Sequence, residues 1–325
     1  MRRRALITGI GGQDGSLLAE LLLEEGYDLC GIVREQGPHP NLDSIEHRVE
    51  LYEANVLAEA SAVRALERFR PHEIYNLASV SFAPASWDDP VLTAQVGTVG
   101  VTVLLEAIKR VDPSIRYCQA SSSEIFGQPE EAPQTERTRL SPLNPYGAAK
   151  AYGFVLVQSY RRRYGLFACS GILYNHESER RPLWFLPRKV AHGAAAIALG
   201  LQDELLLGDL HPRRDWGYAR DYVHAMWRML QHREPEDFVI ATGATHSVEE
   251  LVACAFDRVG LDWRKFVRRD ASLQRGEPEV VDLVGDASKA RELLGWKPSI
   301  TFEELIHLLV DAELERLRAP AIEIE

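Results

Sequence analysis

The pattern of apolar and polar residues divides most of the chain into short apolar runs and longer segments with helical spacing. Strand-like apolar runs lie at residues 4–9, 28–33, 49–52, 73–77, 115–120, 166–173 and 238–242. Apolar positions recur at helical spacing at residues 16–27, 58–69, 90–110, 146–164, 190–199, 225–230, 247–259, 288–294 and 301–317. Strands that alternate with helices predict an α/β fold built on a doubly wound parallel sheet. The C-terminal part, where helices dominate, is expected to form a smaller lobe.

A glycine-rich turn with the sequence GIGGQDG follows the first strand, at residues 9–15. Gly9, Gly12 and Gly15 follow a GxxGxxG spacing, and the next residues form an apolar helix that Gly26 is suited to end. A strand, a glycine turn and a helix in this order match the dinucleotide fingerprint, in which the backbone approaches a pyrophosphate at the helix N-terminus. A purely structural turn is the alternative, but the context on both sides favours a Rossmann-type cofactor site.

The second predicted strand leads to Arg34, which bears on the choice of cofactor. An arginine here suits the 2′-phosphate of NADP, whereas an acidic residue would bind the ribose hydroxyl of NAD. Glu35 follows immediately, so the sequence favours NADP while NAD stays open. The ends of the third and fourth strands, at the same predicted edge, carry Asn55, Val56, Leu77 and Ala78.

Composition and charge narrow the class of protein. Apolar content of 46% and charged content of 26% are ordinary for a soluble globular protein. The net charge of -11 disfavours nucleic acid polymers, which select basic surfaces. No stretch reaches 18 uncharged apolar residues, so no membrane association is expected, and the N-terminus lacks the apolar region of a signal peptide. The four cysteines have no metal or redox spacing, so no metal site and a cytoplasmic location are expected.

The segment 120–150 carries the candidate catalytic residues, between ASSSEIFG at its start and LNPYGAAK at its end. Tyr146 and Lys150 are four residues apart, so a helix places them on one face. An ammonium beside a phenol favours the phenolate and lowers a pKa that starts near ~10, which would let the tyrosine accept a proton near neutral pH. In extended backbone, Ser122 and Glu124 point to the same side and would share a pocket with the tyrosine.

Each of these residues also has a plain structural interpretation. A tyrosine and a lysine at this spacing are common on helix surfaces, where the lysine extends along the helix. A carboxylate at position 124 is equally typical of a helix N-cap or of an exposed side chain. The preceding glycine turn favours the catalytic interpretation. Glu124 would then add an acid/base group that elimination needs and simple oxidation does not.

Two basic segments follow the strand at 166–173: NHESERRPLWFLPRKV at 175–190 and HPRRDWGYARDYV at 211–223. Such runs are often solvated loops. Because the first follows a strand end and precedes an apolar helix, it can also line a cleft. Together the two segments can supply cations to a diphosphate, which arginine binds well.

The motifs GIGGQDG, ASSSEIFG, PYGAAK, GILYNHES, RKV, RDWGYARDYVHAMWRML and GDASKARELLGWKP together resemble the GDP-mannose 4,6-dehydratase family of extended short-chain dehydrogenase/reductases. The resemblance implies an internal redox reaction on a GDP-hexose. Tyr146 would take the proton of the sugar 4-hydroxyl while the C4 hydride passes to NADP, helped by Lys150 and Ser122. Glu124 would remove the C5 proton and help water leave from C6, and the hydride would return to C6.

The resemblance also implies which residues bind the cofactor and the substrate, how the chain divides into domains, and an oligomeric state. Cofactor contacts are expected from Gly9, Gly12, Gln13, Asp14, Gly15, Arg34, Asn55, Val56, Leu77, Ala78, Ser79, Tyr146, Lys150, His176 and Arg181. Substrate contacts are expected from Ser81, Ser122, Glu124, Tyr146, Asn175, Lys189, Arg214 and Arg275. Residues 1–173 and 213–242 would form the NADP-binding Rossmann domain, and residues 174–212 and 243–325 the nucleotide-sugar-binding lobe. A homodimer or homotetramer is expected.

The chain departs from the family pattern mainly where substrate would be held. The substituted positions are Val80, Leu143, Glu179, Pro182, Pro187 and Asp209, and the basic tract after the second strand is shortened to REQG. Two other interpretations stay open: a reductase or 4-epimerase of another nucleotide sugar on the same scaffold, and a non-catalytic NADP-binding homologue.

Overall fold

A computed structural model describes residues 2–273 and 283–319 of the chain. Its strands are β1 (Arg4–Thr8), β2 (Asp28–Val33), β3 (Val49–Glu53), β4 (Glu73–Asn76), β5 (Arg116–Ser122), β6 (Ala168–Leu173), β7 (Asn175–Glu177), β8 (Leu205–Leu207), β9 (Arg213–Arg214), β10 (Trp216–Tyr218), β11 (Phe238–Ile240), β12 (His246–Ser247) and β13 (Val267–Arg269). Its helices are α1 (Gln13–Glu24), α2 (Glu59–Phe69), α3 (Pro90–Ala94), α4 (Gly100–Val111), α5 (Pro145–Tyr164), α6 (Leu186–Ala198), α7 (Ala219–Gln231), α8 (Val248–Arg258), α9 (Ser288–Leu294) and α10 (Phe302–Arg318).

Seven strands form one parallel sheet in the order β11-β6-β5-β4-β1-β2-β3. Successive residues of β1 face opposite sides, because Ala5 and Ile7 join the core under α1 and α7, whereas Leu6 joins the core under α2, α4 and α5. Helices therefore cover both faces, which explains why β1, β2 and β6 are nearly continuously apolar rather than alternating. The predicted doubly wound sheet is confirmed.

A second, smaller core lies in the lobe. Helices α6, α8 and α10 pack together there with the short parallel pair β8–β13, around fully buried residues such as Val190, Leu251 and Leu309. The packing crosses the predicted boundary at more than one place: Trp216, predicted in the sheet domain, packs in the lobe core. Ala287, Leu294 and Trp296, within the predicted lobe 243–325, pack in the sheet-side core with α7 and β11.

The predicted helix over 90–110 is not one regular helix. A π-helical turn, Gln95–Val99, separates α3 from α4. A Cβ added at Gly97 would lie 2.6 Å from Cβ of Ala149 on α5, so the glycine allows the two segments to approach closely. The whole run Pro90–Val111 has the length and composition of a membrane span, contrary to expectation, but it packs partly against α2 and α5. One such helix is weak evidence for membrane insertion.

Candidate active site

The carboxyl ends of β1, β4 and β5 meet at one edge of the sheet, beside the β1–β4 pair where the strand order reverses. Thr8, the last residue of β1, is fully buried there and donates a hydrogen bond of 2.6 Å to Oδ1 of Asn76. Its hydroxyl oxygen also accepts bonds of 3.1 Å from the amides of Leu77 and Ala78. Thr8 thus fixes the end of β4 beside the glycine turn, in the crevice where open parallel sheets bind ligands.

The glycine turn is shaped so that side chains are excluded from it. Gly9 has φ +69°, and its added Cβ would lie 3.0 Å from the amide nitrogen of Ala78. An added Cβ at Gly15 would lie only 2.3 Å from the carbonyl oxygen of Gly9. The amide of Gly12 donates to that same carbonyl, at 3.1 Å. The turn therefore leads tightly into the N-terminus of α1, an arrangement that fits a dinucleotide pyrophosphate.

Gln13 and Asp14, expected to contact cofactor, use their side chains in contacts with the segment after β6. Nε2 of Gln13 donates to the carbonyl of His176 at 3.1 Å, and its Oε1 accepts from Ser178 at 2.9 Å. Oδ2 of Asp14 lies 2.9 Å from Nε2 of His176, whose ring stacks on Tyr222. These side chains join the cofactor turn to the start of the lobe.

The electrostatics of the Asp14–His176 pair follow from this contact. Burial alone would raise the pKa of Asp14, but the charge of His176 and its hydrogen bond outweigh burial and hold the pKa at about 2. Burial likewise opposes the charged imidazole, yet Asp14 raises the pKa of His176 above its usual value. An acidic residue can thus sit in the first turn of α1, where a cofactor phosphate is expected, because the imidazolium offsets its charge.

The remaining predicted cofactor residues lie along the rim of the sheet edge. Arg34 is exposed directly after β2 and pairs with Glu35 at 3.2 Å, so part of its charge is offset. Oδ1 of Asn55 accepts from the amide of Leu57 at 2.9 Å and shapes the turn before α2. Val56 packs near Gly100 of α4, and Ser79 is half-buried after β4.

Ser122 ends β5, and the backbone then turns rather than staying extended. Residues Ser123–Ile125 form a 3₁₀ turn, and Oγ of Ser122 accepts a bond of 3.2 Å from the amide of Glu124. The expectation that an extended backbone aligns Ser122 with Glu124 is therefore wrong. Both still lie close enough to Tyr146 to affect the pKa of its phenol, which Ser122 lowers and the Glu124 charge raises.

Tyr146 and Lys150 lie one turn apart on α5, as predicted, with Nζ of Lys150 5.5 Å from the centre of the tyrosine ring. Nζ donates to the carbonyl of Ala120 at 2.8 Å. Burial raises the pKa of Tyr146 to about 12, an effect that the Ser122 bond reduces and the Glu124 charge increases. Burial also lowers the pKa of Lys150 to about 8. The structure does not give the predicted lowering of the tyrosine pKa, because burial disfavours the phenolate.

Sequence reasoning missed Asn144, which contacts the catalytic carboxylate. Its Nδ2 donates to Oε2 of Glu124 at 2.9 Å, and its Oδ1 accepts from the amide of Gly147 at 2.7 Å. The signal that could have found it was an asparagine directly before Pro145, since asparagine is a strong N-cap and proline favours the first helical position.

The other predicted substrate residues lie on separate elements, mostly in the lobe. Asn175 lies in β7, which pairs with β10, while Lys189 on α6 donates from Nζ to the carbonyl of Leu206 at 2.9 Å. Arg214 lies in β9, paired with β12. Ser81 is exposed after β4, and Arg275 lies outside the described residues.

Arg181, a predicted cofactor residue, lies between the residues around Tyr146 and the residues of the lobe. Its guanidinium stacks at 3.7 Å on the ring of Phe185, pairs with the buried Glu177 at 3.2 Å, and acts on the Tyr146 phenol. Phe185 in turn contacts Phe82, with ring centres 5.1 Å apart. Arg181 therefore connects the candidate catalytic residues with the lobe.

A family model described as GDP-mannose 4,6 dehydratase matches residues 6–309. The chain belongs to the GDP-mannose 4,6-dehydratase family. GDP-mannose 4,6 dehydratase 2 of Arabidopsis thaliana is 43% identical over 329 residues, which cover 97% of this chain and 87% of the plant protein. The family and the short-chain dehydrogenase/reductase fold predicted from the sequence are thus confirmed.

Solved structures at lower identity share this fold. UDP-glucose 4-epimerase of Thermotoga maritima, solved with UDP-glucose, has a TM-score of 0.85 at 25% identity and covers 97% of this chain and 99% of its own. UDP-glucose 4-epimerase of Thermus thermophilus, solved as a complex with NAD, has a TM-score of 0.82 at 25% identity, covering 95% of this chain and 98% of its own.

In this member of the GDP-mannose 4,6-dehydratase family, two charges near the lobe are neutralised by protein partners. Nε of Arg188, on the basic segment, donates to the buried Glu313 at 2.7 Å. Asp209, one of the departures from the family pattern, pairs with Arg269 at 3.0 Å. Arg188 is therefore tied into the lobe core, whereas Nζ of Lys189 donates to a backbone carbonyl and its charge acts on Asp270.

Proposed function

We propose that the protein dehydrates GDP-D-mannose to GDP-4-dehydro-6-deoxy-D-mannose. The observation that carries the proposal is the convergence of Ser122, Glu124, Tyr146 and Lys150 at the carboxyl end of β5, beside a glycine turn that fits a dinucleotide. Membership of the GDP-mannose 4,6-dehydratase family supports the substrate and the hydro-lyase reaction.

The four side chains divide the proton transfers. Ser122 and Tyr146 would both contact the sugar 4-oxygen, from which Tyr146 takes the proton as C4 is oxidised. The 4-ketone then acidifies C5, and Glu124 removes the C5 proton and returns it to the C6 hydroxyl, which leaves as water. Bound nicotinamide would supply the acceptor for the C4 hydride and its return to C6. Lys150, held by the Ala120 carbonyl one turn along α5, would stabilise the negative charge that develops on the Tyr146 phenol.

The test is product analysis without added reductant. Purified protein should convert GDP-mannose to a product lighter by one water, with a keto group at C4 and a methyl group at C6. A panel of GDP-, dTDP-, UDP- and CDP-hexoses fixes the nucleotide. Preference for a dTDP- or UDP-sugar would contradict the GDP assignment, turnover only with added reduced cofactor would indicate a reductase, and a C4 epimer would indicate an epimerase.

A nicotinamide dinucleotide is the cofactor that the glycine turn and the related NAD-bound epimerase support. We propose NADP specifically, because Arg34 follows β2 where a 2′-phosphate would lie. Its exposed pairing with Glu35 predicts only modest discrimination. Calorimetric titration of the apo protein with both cofactors measures this preference, and tighter binding of NAD would contradict NADP.

We further propose a homodimer or homotetramer. Exposed apolar residues lie on or beside α3, the π turn and α5: Trp87, Val91, Val99, Tyr152 and Val155. Such residues favour contact with a second copy. Sedimentation velocity should give an oligomer that Val155→Lys weakens, and a monomeric wild type would contradict it.

A cytoplasmic site of action is also proposed, since Cys30, Cys118 and Cys169 are free and buried. Fractionation of cells tests it.

A further inference from the structure

Asn144 connects the catalytic carboxylate to the catalytic helix through one side-chain amide. Its backbone is extended at the N-cap of α5, and Oδ1 caps the helix through the Gly147 amide at 2.7 Å. From the same amide group, Nδ2 donates to Oε2 of Glu124 at 2.9 Å. The cap bond fixes the amide plane, so the direction of Nδ2 toward Glu124 is set by the start of the helix that carries Tyr146 and Lys150.

The backbone makes this junction tight. An added Cβ at Gly147 would lie 2.5 Å from the carbonyl oxygen of Glu124, so α5 packs directly on the turn that carries the carboxylate. At the other end of that turn, Ser122 accepts from the Glu124 amide. Both the backbone and the side chain of Glu124 are therefore anchored to groups that also position Tyr146.

We propose that Asn144 is a positioning residue for the elimination step, aiming the Glu124 carboxylate at C5 while it caps the catalytic helix. The proposal rests on the proposed dehydratase function. An amide N–H is a pure donor at this contact, so it holds one carboxylate oxygen by a directed bond while the other can face the C5 proton. It also restricts rotation of the glutamate, and a correctly oriented base accelerates proton transfer.

Other cap residues do not reproduce this combination. Serine caps a helix about as well as asparagine but lacks a second donor to reach the carboxylate. Aspartate also caps well, but it replaces the donor with a carboxylate next to Glu124, where like charges disfavour ionisation. The two substitutions therefore keep the helix start and remove the contact in different ways.

The test compares Asn144→Ser and Asn144→Asp with wild type, using GDP-mannose deuterated at C4 or at C5. We expect kcat to fall about tenfold for Asn144→Ser and further for Asn144→Asp, with KM changed less than about twofold. The isotope effect from C5 deuterium should increase relative to wild type, because proton removal becomes slower than the other steps. A merely structural role would lower the active fraction and leave this isotope effect unchanged.

Thr301→Ser is the matched control, since Thr301 caps α10 in the lobe and has no described contact with Glu124. It should leave kcat and both isotope effects at wild-type values. Wild-type kcat and an unchanged C5 isotope effect in Asn144→Ser would overturn the proposal, as would a loss without any isotope change. Failure of the wild type itself to dehydrate any GDP-hexose would instead contradict the proposed function. If Asn144→Ser does not fold, Asn144→Asp carries the same comparison.

Discussion

Polar side chains have different kinds of partner in two regions of the cleft: its floor, around β5 and α5, and its wall, formed by the lobe. On the floor, backbone groups and neutral side chains hold the catalytic residues: the Ala120 carbonyl holds Lys150, and Asn144 holds Glu124. On the wall, charges are largely neutralised by other charges, as in Arg188 with Glu313 and Arg181 with Glu177. The number of cationic residues clustered in a sequence therefore does not equal the number that are free to bind a diphosphate.

The sharpest test of the floor is removal of its acid/base group. Glu124→Gln keeps the size of the side chain and a donor or acceptor for Asn144, but it cannot accept the C5 proton. We expect kcat to fall about a thousandfold with cofactor and GDP-mannose binding nearly unchanged, measured by product formation and calorimetry. Turnover at the wild-type rate would show that another group removes the proton. Glu130→Gln, an exposed carboxylate change, serves as control.

The glycine turn beside the floor should tolerate substitution poorly. Gly15→Ala places a Cβ where only 2.3 Å separates it from the Gly9 carbonyl, so the turn must move. We expect cofactor affinity to fall roughly ten- to a hundredfold, since overpacking costs about 1–3 kcal/mol and about 1.4 kcal/mol corresponds to tenfold. Gly37→Ala is the control, because its added Cβ has no neighbour within 4 Å and should leave affinity unchanged. Equal affinity in both variants would contradict the tight turn.

Two neighbouring basic residues on the wall should have different roles. Arg188→Ala leaves the buried Glu313 with His192 and Arg316 alone, so we expect about 2 kcal/mol less stability against urea. Lys189→Ala should leave stability nearly unchanged and weaken GDP-mannose binding about tenfold, because its described hydrogen bond goes to a backbone carbonyl and not to a buried charge. Weaker GDP-mannose binding in Arg188→Ala together with lower stability in Lys189→Ala would contradict this assignment of a structural role to Arg188 and a binding role to Lys189.

The smallest expected effect concerns the Asp14–His176 pair, which joins the floor to the wall. A raised histidine pKa contributes stability that is complete below the unfolded value near ~6.5 and is lost as pH rises through the folded value. In wild type, the free energy of unfolding should therefore decrease as pH rises from the unfolded to the folded pKa of His176. In His176→Asn this decrease should flatten. The Asp14 contribution is complete above its unfolded value near ~3.9 and is lost as pH falls from there through about 2. His47→Asn, on an exposed residue, should keep the wild-type slope.

The sequence predicted the sheet, the glycine turn and the catalytic helix because each depends on local spacing. Apolar periodicity identified the strands, and the interval between Tyr146 and Lys150 required only a helix. The turn after Ser122 was not predictable in this way, since the same residues are equally typical of a continuing strand. Nor could spacing show that burial would raise the Tyr146 pKa, or that Arg188 would pair with a carboxylate 125 positions later.

The return of residues 287–296 to the core beside α7 and β11 has a consequence for how the molecule can be divided. The lobe is an insertion in the topological sense, because the chain leaves the sheet after β6, comes back for α7 and β11, leaves again and comes back once more at α9. Truncation after β11 would strip Trp296 from the side of the sheet as well as removing most of the lobe. The two parts are consequently covalently interleaved, so neither can be exchanged for the corresponding part of a relative by a single crossover.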